Sequence, residues 1–269
     1  RDEASSADAA TAGAPVGPDE AIARAFLLQF LSCGFADPTR EAWAWLSQPA
    51  TLDTARLAAL QLQNPGLAEA IGGWGQWMNP EGWESFKDDH GAAFGHGSRG
   101  VCPPNEIEYG GVRADGLFQP HRLADLAAFY RAFGLEVGDD AGERHDHISI
   151  ELEFMAVLAA KEAAALQAGQ DGSRAEVCRT AARHFLKEHL GRWSLAFARR
   201  LIRECQDGPL RSLAHILLAM VSEDCRRFGV QPGSEEIDLR PVDDAAERLC
   251  ESCELRNLPP GAATTGARI

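Results

Sequence analysis

Apolar residues recur every three or four positions over most of the chain, the spacing of helices with one buried face. Ile22, Phe26, Leu27 and Phe30 share such a face, behind a Pro18-Asp19-Glu20 start that places acidic side chains in a first helical turn. Asp37-Pro38 opens a second helix with Trp43 and Leu46, and Leu52 to Leu67 carries a third pattern with a break at Asn64-Pro65-Gly66. From Gly72 to Gly116 the period lapses. Glycines there alternate with Trp74, Trp77 and Trp83, and the segment reads as a long loop with short helices. Periodicity returns from Leu123 to Phe133, closed by Gly134, and continues through Ile148–Gln167, Ser173–Leu190, Trp193–Cys205, Pro209–Phe228 and Val242–Leu255. No strand and no repeat of fixed period is legible. The expectation is an all-α fold, a single helical bundle over residues 18–255 with flexible tails at 1–17 and 256–269.

Composition narrows the function classes. The 269 residues are 45% hydrophobic, enough for a sizeable core, and 26 basic against 40 acidic side chains leave a formal charge of -14. Phosphate backbones need a basic footprint, so nucleic acid is a poor partner and a basic peptide a better one. No run approaches the roughly 20 apolar residues of a membrane helix, and the first residues lack a secretory hydrophobic region. Seven cysteines do not form a disulfide pattern, so the cytoplasm is the expected compartment.

Three candidate sites weaken on inspection. Gly95-His96-Gly97-Ser98-Arg99-Gly100 matches a dinucleotide fingerprint literally, but Cys102-Pro103-Pro104 forbids the helix that the motif requires. Cys250-Glu251-Ser252-Cys253 is half of a zinc ribbon with no second half. Arg174, Arg179, Arg183, Lys187, Arg192, Arg199, Arg200 and Arg203 read as the solvated face of amphipathic helices.

The stretch from Glu143 to Met155 is richer. His145 and His147 cannot share a metal on a helix, where residues two apart point in nearly opposite directions, but could in an extended linker, which Gly138, Asp139, Asp140 and Gly142 allow up to about Arg144. Asp146 instead stands where an N-cap belongs, before the apolar series Ile148, Leu152, Met155 and Ala159, with His147 in the first turn. Glu136 to Glu153 holds seven carboxylates and one arginine, a local charge of -6, and this linker between apolar helices suits a cationic, partly hydrophobic peptide.

Four motifs in order then resemble the TorD/DmsD/NarJ family of chaperones dedicated to molybdenum oxidoreductases. They are Pro104-Asn105-Glu106-Ile107-Glu108-Tyr109; Leu123 through Glu136; Glu143-x-x-Asp146-His147 with Glu151-Leu152-Glu153-Phe154-Met155; and Phe185 through Trp193. The resemblance spans residues 20–230 and implies a TorD-like all-helical fold without catalysis, metal or cofactor. It implies binding of the twin-arginine signal peptide of a catalytic subunit until cofactor insertion is complete. Glu106, Tyr109, Glu143, Asp146, His147 and Glu151 are the implied client-binding residues. The client resembles those of the ethylbenzene dehydrogenase, selenate reductase or dimethyl sulfide dehydrogenase kind. His145 stands where the family hinge carries proline, and Ile107 where it carries serine. Competing readings are a helical metal-dependent phosphohydrolase using His145-Asp146, and a scaffold without a peptide client.

Overall fold

A computed structural model describes residues 17–77, 79–95, 99–110, 118–138, 143–169 and 172–241. The expected tails, the helix at Val242–Leu255 and the Cys250/Cys253 pair lie outside the described residues. Ten α-helices occur among them: α1 (Pro18–Phe35), α2 (Arg40–Leu46), α3 (Pro49–Gln61), α4 (Pro65–Trp74), α5 (Pro80–Phe94), α6 (Phe118–Ala132), α7 (Ile148–Gln167), α8 (Ser173–Glu188), α9 (Leu190–Glu204) and α10 (Pro209–Phe228).

Local chemistry sets many of these boundaries. Proline opens α1, α3, α4, α5 and α10, where its fixed φ suits the first turn and its missing N–H costs nothing. Thr39, Asn64 and Asn79 cap α2, α4 and α5, each accepting a backbone N–H three residues on. The α3–α4 break falls at Asn64-Pro65, as the sequence pattern predicts. Gly229 ends α10 at φ 60°, in the left-handed conformation that a side chain would disfavour.

The centre is the antiparallel pair of α1 and α7, flanked by α3, α8 and α10. Leu27, Leu28, Phe30, Leu31 and Phe35 of α1 and Leu152, Met155, Leu158 and Ala159 of α7 are all buried in one continuous core. Because α1 is covered on most sides, its pattern does not mark a single face, and Ile22, expected inside, is 44% exposed. Gly34 permits the approach of α10: a Cβ there would stand 2.6 Å from Leu213 Cδ2.

The largest departure from expectation is the Trp-rich segment. Its middle is the fifteen-residue helix α5, with the end of α4 before it, and its aromatics are core rather than loop, while the described stretch 99–105 has no helix, as a loop would. Trp43, Trp74, Trp83, Phe86 and Phe30 pack at centroid separations of 5.3–6.3 Å. Glycine content masks the helical period there, while the prolines and asparagine caps that bound the helices carry the true signal.

Candidate functional site

Three pieces of chain meet at the start of α7: the segment 104–109, the linker 143–147, and the junction of α8 and α9 at His189. Backbone pairing joins the first two. Glu106 N–H donates to the Asp146 carbonyl at 2.9 Å and Ile148 N–H to the Pro104 carbonyl at 2.8 Å, around a bridge between Asn105 and His147. Tyr130 of α6 fixes the linker from behind by donating its hydroxyl to the His145 carbonyl at 2.7 Å.

His147, not Asp146, caps α7. Its Nδ1 accepts the Ser149 N–H at 3.2 Å and lies 2.7 Å from the Ser149 hydroxyl. That network leaves the proton on Nε2, which faces Glu143 at 3.4 Å. Burial holds the His147 pKa down at about 4, so the ring is neutral at physiological pH and the contact is not an ion pair. Glu143 is pushed up by its own burial and by Asp37.

Freed from capping, the fully buried Asp146 carboxylate spans the junction. It accepts from Asn105 Nδ2 at 3.3 Å and from Ile107 N–H at 3.2 Å, while Arg144 forks onto both oxygens through Nε at 2.9 Å and Nη2 at 2.8 Å. Asp146 has no exposed surface, whereas the Arg144 side chain is 48% exposed.

Glu106 is also buried. Arg122 of α6 donates to one of its oxygens at 2.6 Å, and His189 Nδ1 lies 3.0 Å from the other. The second His189 nitrogen faces Asp125 at 3.2 Å. Glu151, in the first turns of α7, accepts from Trp193 Nε1 at 3.2 Å. Burial, and then the nearby Glu106, push its pKa well above the ordinary carboxylate value, which favours the protonated form. Tyr109 packs its ring on Trp193 at 5.1 Å, and its buried hydroxyl has no hydrogen-bond partner among the described residues.

All six residues expected from the motifs therefore gather at one junction, but five of them are interior and only Glu143 is partly open. Arg144, Arg122 and Asp125 were not expected from the sequence. Arg122 and Asp125, three apart on α6, share a face toward Glu106 and His189, a spacing that marks a common face without naming its partners. His145, proposed in the hydrolase reading, lies nearly parallel to the Tyr130 ring, and the Asp146 oxygens are filled by N–H donors. No group of three or more His, Cys, Asp or Glu among the described residues is disposed to hold a metal ion. No helix among them is long and apolar enough to cross a membrane.

A groove of about 430 Å³ opens between α7 and α8, over Ala164, Ala165, Ala168 and Val177, with Lys161 and Arg174 beside them. It lies at the far end of α7, about 24 Å along the helix from the junction, and not beside the linker.

The class defined by this fold and site is an all-α protein whose linker and preceding loop are clipped together over buried carboxylates. The nitrate reductase delta-subunit family model matches residues 58–199, and the chain belongs to that family. It is similar to the selenate reductase assembly chaperone of Thauera selenatis, 37% identical over 46% of this chain and 61% of the relative, so less than two thirds of that protein is spanned. It is 31% identical to the chlorate reductase assembly chaperone of Ideonella dechloratans over 74% of this chain and 86% of the relative. The dimethyl sulfide dehydrogenase assembly chaperone of Rhodovulum sulfidophilum is 33% identical over 51% of this chain and 55% of its own length.

Proposed function

We propose that this protein is a non-enzymatic assembly chaperone for the catalytic subunit of a molybdenum oxidoreductase, acting in the cytoplasm before export. Its similarity to the assembly chaperones of selenate reductase, chlorate reductase and dimethyl sulfide dehydrogenase supports the chaperone role. In this reading the linker at Glu143–His147 takes the arginines of the client's twin-arginine signal peptide, and the client is retained until its cofactor is in place.

One observation carries the binding site: the Asp146 carboxylate already holds a guanidinium in the two-pronged geometry that planar carboxylates and arginine share. The surrounding charge of -6 between Glu136 and Glu153 draws a cationic segment to the same place. The test is co-purification with the catalytic subunit of a candidate molybdenum oxidoreductase, with its signal peptide intact or deleted. Retention of the intact subunit and loss on deletion is the expected result. Equal retention of both would place recognition elsewhere on the client, and retention of neither would remove the chaperone reading for that client.

A further inference from the structure

The Asp146 carboxylate is an occupied site, and its occupant comes from the same chain. Arg144 reaches it across a single intervening residue, with nearly half of its own side chain in solvent. Beneath it, Asn105 Nδ2 and Ile107 N–H donate to the two carboxylate oxygens from the opposite segment. These two donors hold Asp146 in place whether or not Arg144 stays. The exposed fork is the replaceable part of the shell.

We infer that Arg144 is an internal stand-in for a guanidinium of the bound peptide, and that the peptide enters by displacing it. The inference rests on the reading that Asp146 takes a client arginine. Exchanging one fork for another conserves the charge-assisted hydrogen bonds and never leaves a buried carboxylate without a cation, which is the costly state. An internal occupant lowers apparent affinity by the fraction of time that it vacates the site. Arg144 therefore sets how tightly the chaperone holds its client, and keeps the junction closed when no client is present. Released, its side chain points to solvent it already half occupies, so its departure needs no rearrangement of the core.

The experiment is calorimetric titration of a twin-arginine signal peptide into the full chain, its Arg144→Lys and Arg144→Gln variants, and Asp146→Asn, with a thermal melt of each. Arg131→Gln is the charge control: it removes an exposed positive charge from α6 without touching Asp146. Affinity should rise from wild type through Arg144→Lys, whose ammonium cannot form the fork, to Arg144→Gln, with a total gain of about tenfold or more. Arg131→Gln should stay close to wild type. Unchanged or weaker binding in folded Arg144→Lys or Arg144→Gln overturns the inference, as does an equal gain in Arg131→Gln. If binding is also lost in Asp146→Asn, that result leaves the linker as the peptide site and removes only the stand-in. Absence of peptide binding in every form, Arg144→Gln included, overturns both.

Discussion

Two buried ionic networks in this protein use the same chemistry to different ends. In the helical core, Arg24 of α1 is 1% exposed and forks onto Asp224 of α10 at 2.7 and 3.1 Å, with Glu162 of α7 at 3.4 Å and the Phe228 ring 4.7 Å away. Arg179 of α8 completes the set on Glu162 at 2.6 Å. At the linker, Arg144 forks onto Asp146 with similar distances but is half exposed. Every partner of Arg24 sits on a long helix, so opening that network means separating α1 from α7 and α10. The partners of Arg144 sit on a linker and a loop joined by a few backbone hydrogen bonds. The first network is fixed by the bundle, whereas the second can exchange its cation without disturbing it.

Removing the arginine from each network separates them most widely. Arg24→Met strands the buried Asp224 and leaves Glu162 to Arg179 alone, and should cost about 3–5 kcal/mol in denaturant unfolding. Arg144→Gln should cost less, about 1.5–3 kcal/mol, because Arg144 is half solvated and two other donors remain on Asp146. Comparable losses would erase the distinction.

Acid should strain the linker. The His147 pKa is depressed to about 4 in the folded chain. The unfolded chain therefore takes up a proton first as pH falls below about 6.5, and stability drains until pH passes the folded value. The loss attributable to His147 is on the order of 3 kcal/mol, and His147→Asn, which keeps a capping side chain, should remove it. Melts of both proteins from pH 7 to pH 4 measure the difference; parallel curves would count against a buried, neutral cap.

A smaller effect probes the rigidity of the α1–α10 contact at Gly34, about 15 Å along α1 from Arg24. Gly34→Ala drives a methyl against Leu213 and should destabilise by about 1–3 kcal/mol, partly recovered by Leu213→Val. A neutral Gly34→Ala would mean that the helices can part slightly, weakening the claim that the core network is locked.

The smallest expected change is at Glu151. Its folded pKa is raised, so the stability it contributes is present below the ordinary carboxylate range and lost as pH rises through the folded value. Glu151→Gln preserves an acceptor for Trp193 and should be neutral or slightly stabilising at pH 7, with the gain shrinking in acid. A large loss at pH 7 would show that Glu151 works as an anion.

The contrast between the networks also explains what was legible in the sequence. Helices whose ends are written locally, such as Ile148–Gln167 and Pro209–Phe228, match the pattern to the residue. The segment of α4 and α5 was misread because glycine dilutes the apolar period, although its tryptophans are what the core most needs. The motif residues meet at one junction, yet their burial was invisible. Glu106 finds Arg122 and His189 at separations of 16 and 83 residues, and Glu151 finds Trp193 at 42. Asp146 has the chemistry of a cap, but pairing with the 104–109 segment draws it inward and leaves the cap to His147. A carboxylate's partner at long sequence distance cannot be read from spacing.

Hydrogen exchange with and without a twin-arginine signal peptide tests the central claim most directly: that clients engage the linker network while the core network stays shut. The account predicts that the changes concentrate in residues 104–109, 118–125 and 143–151, with the amides around Arg24 and Asp224 unaltered. Changes confined to the α7–α8 groove near Ala164 and Val177, with the linker untouched, would contradict it.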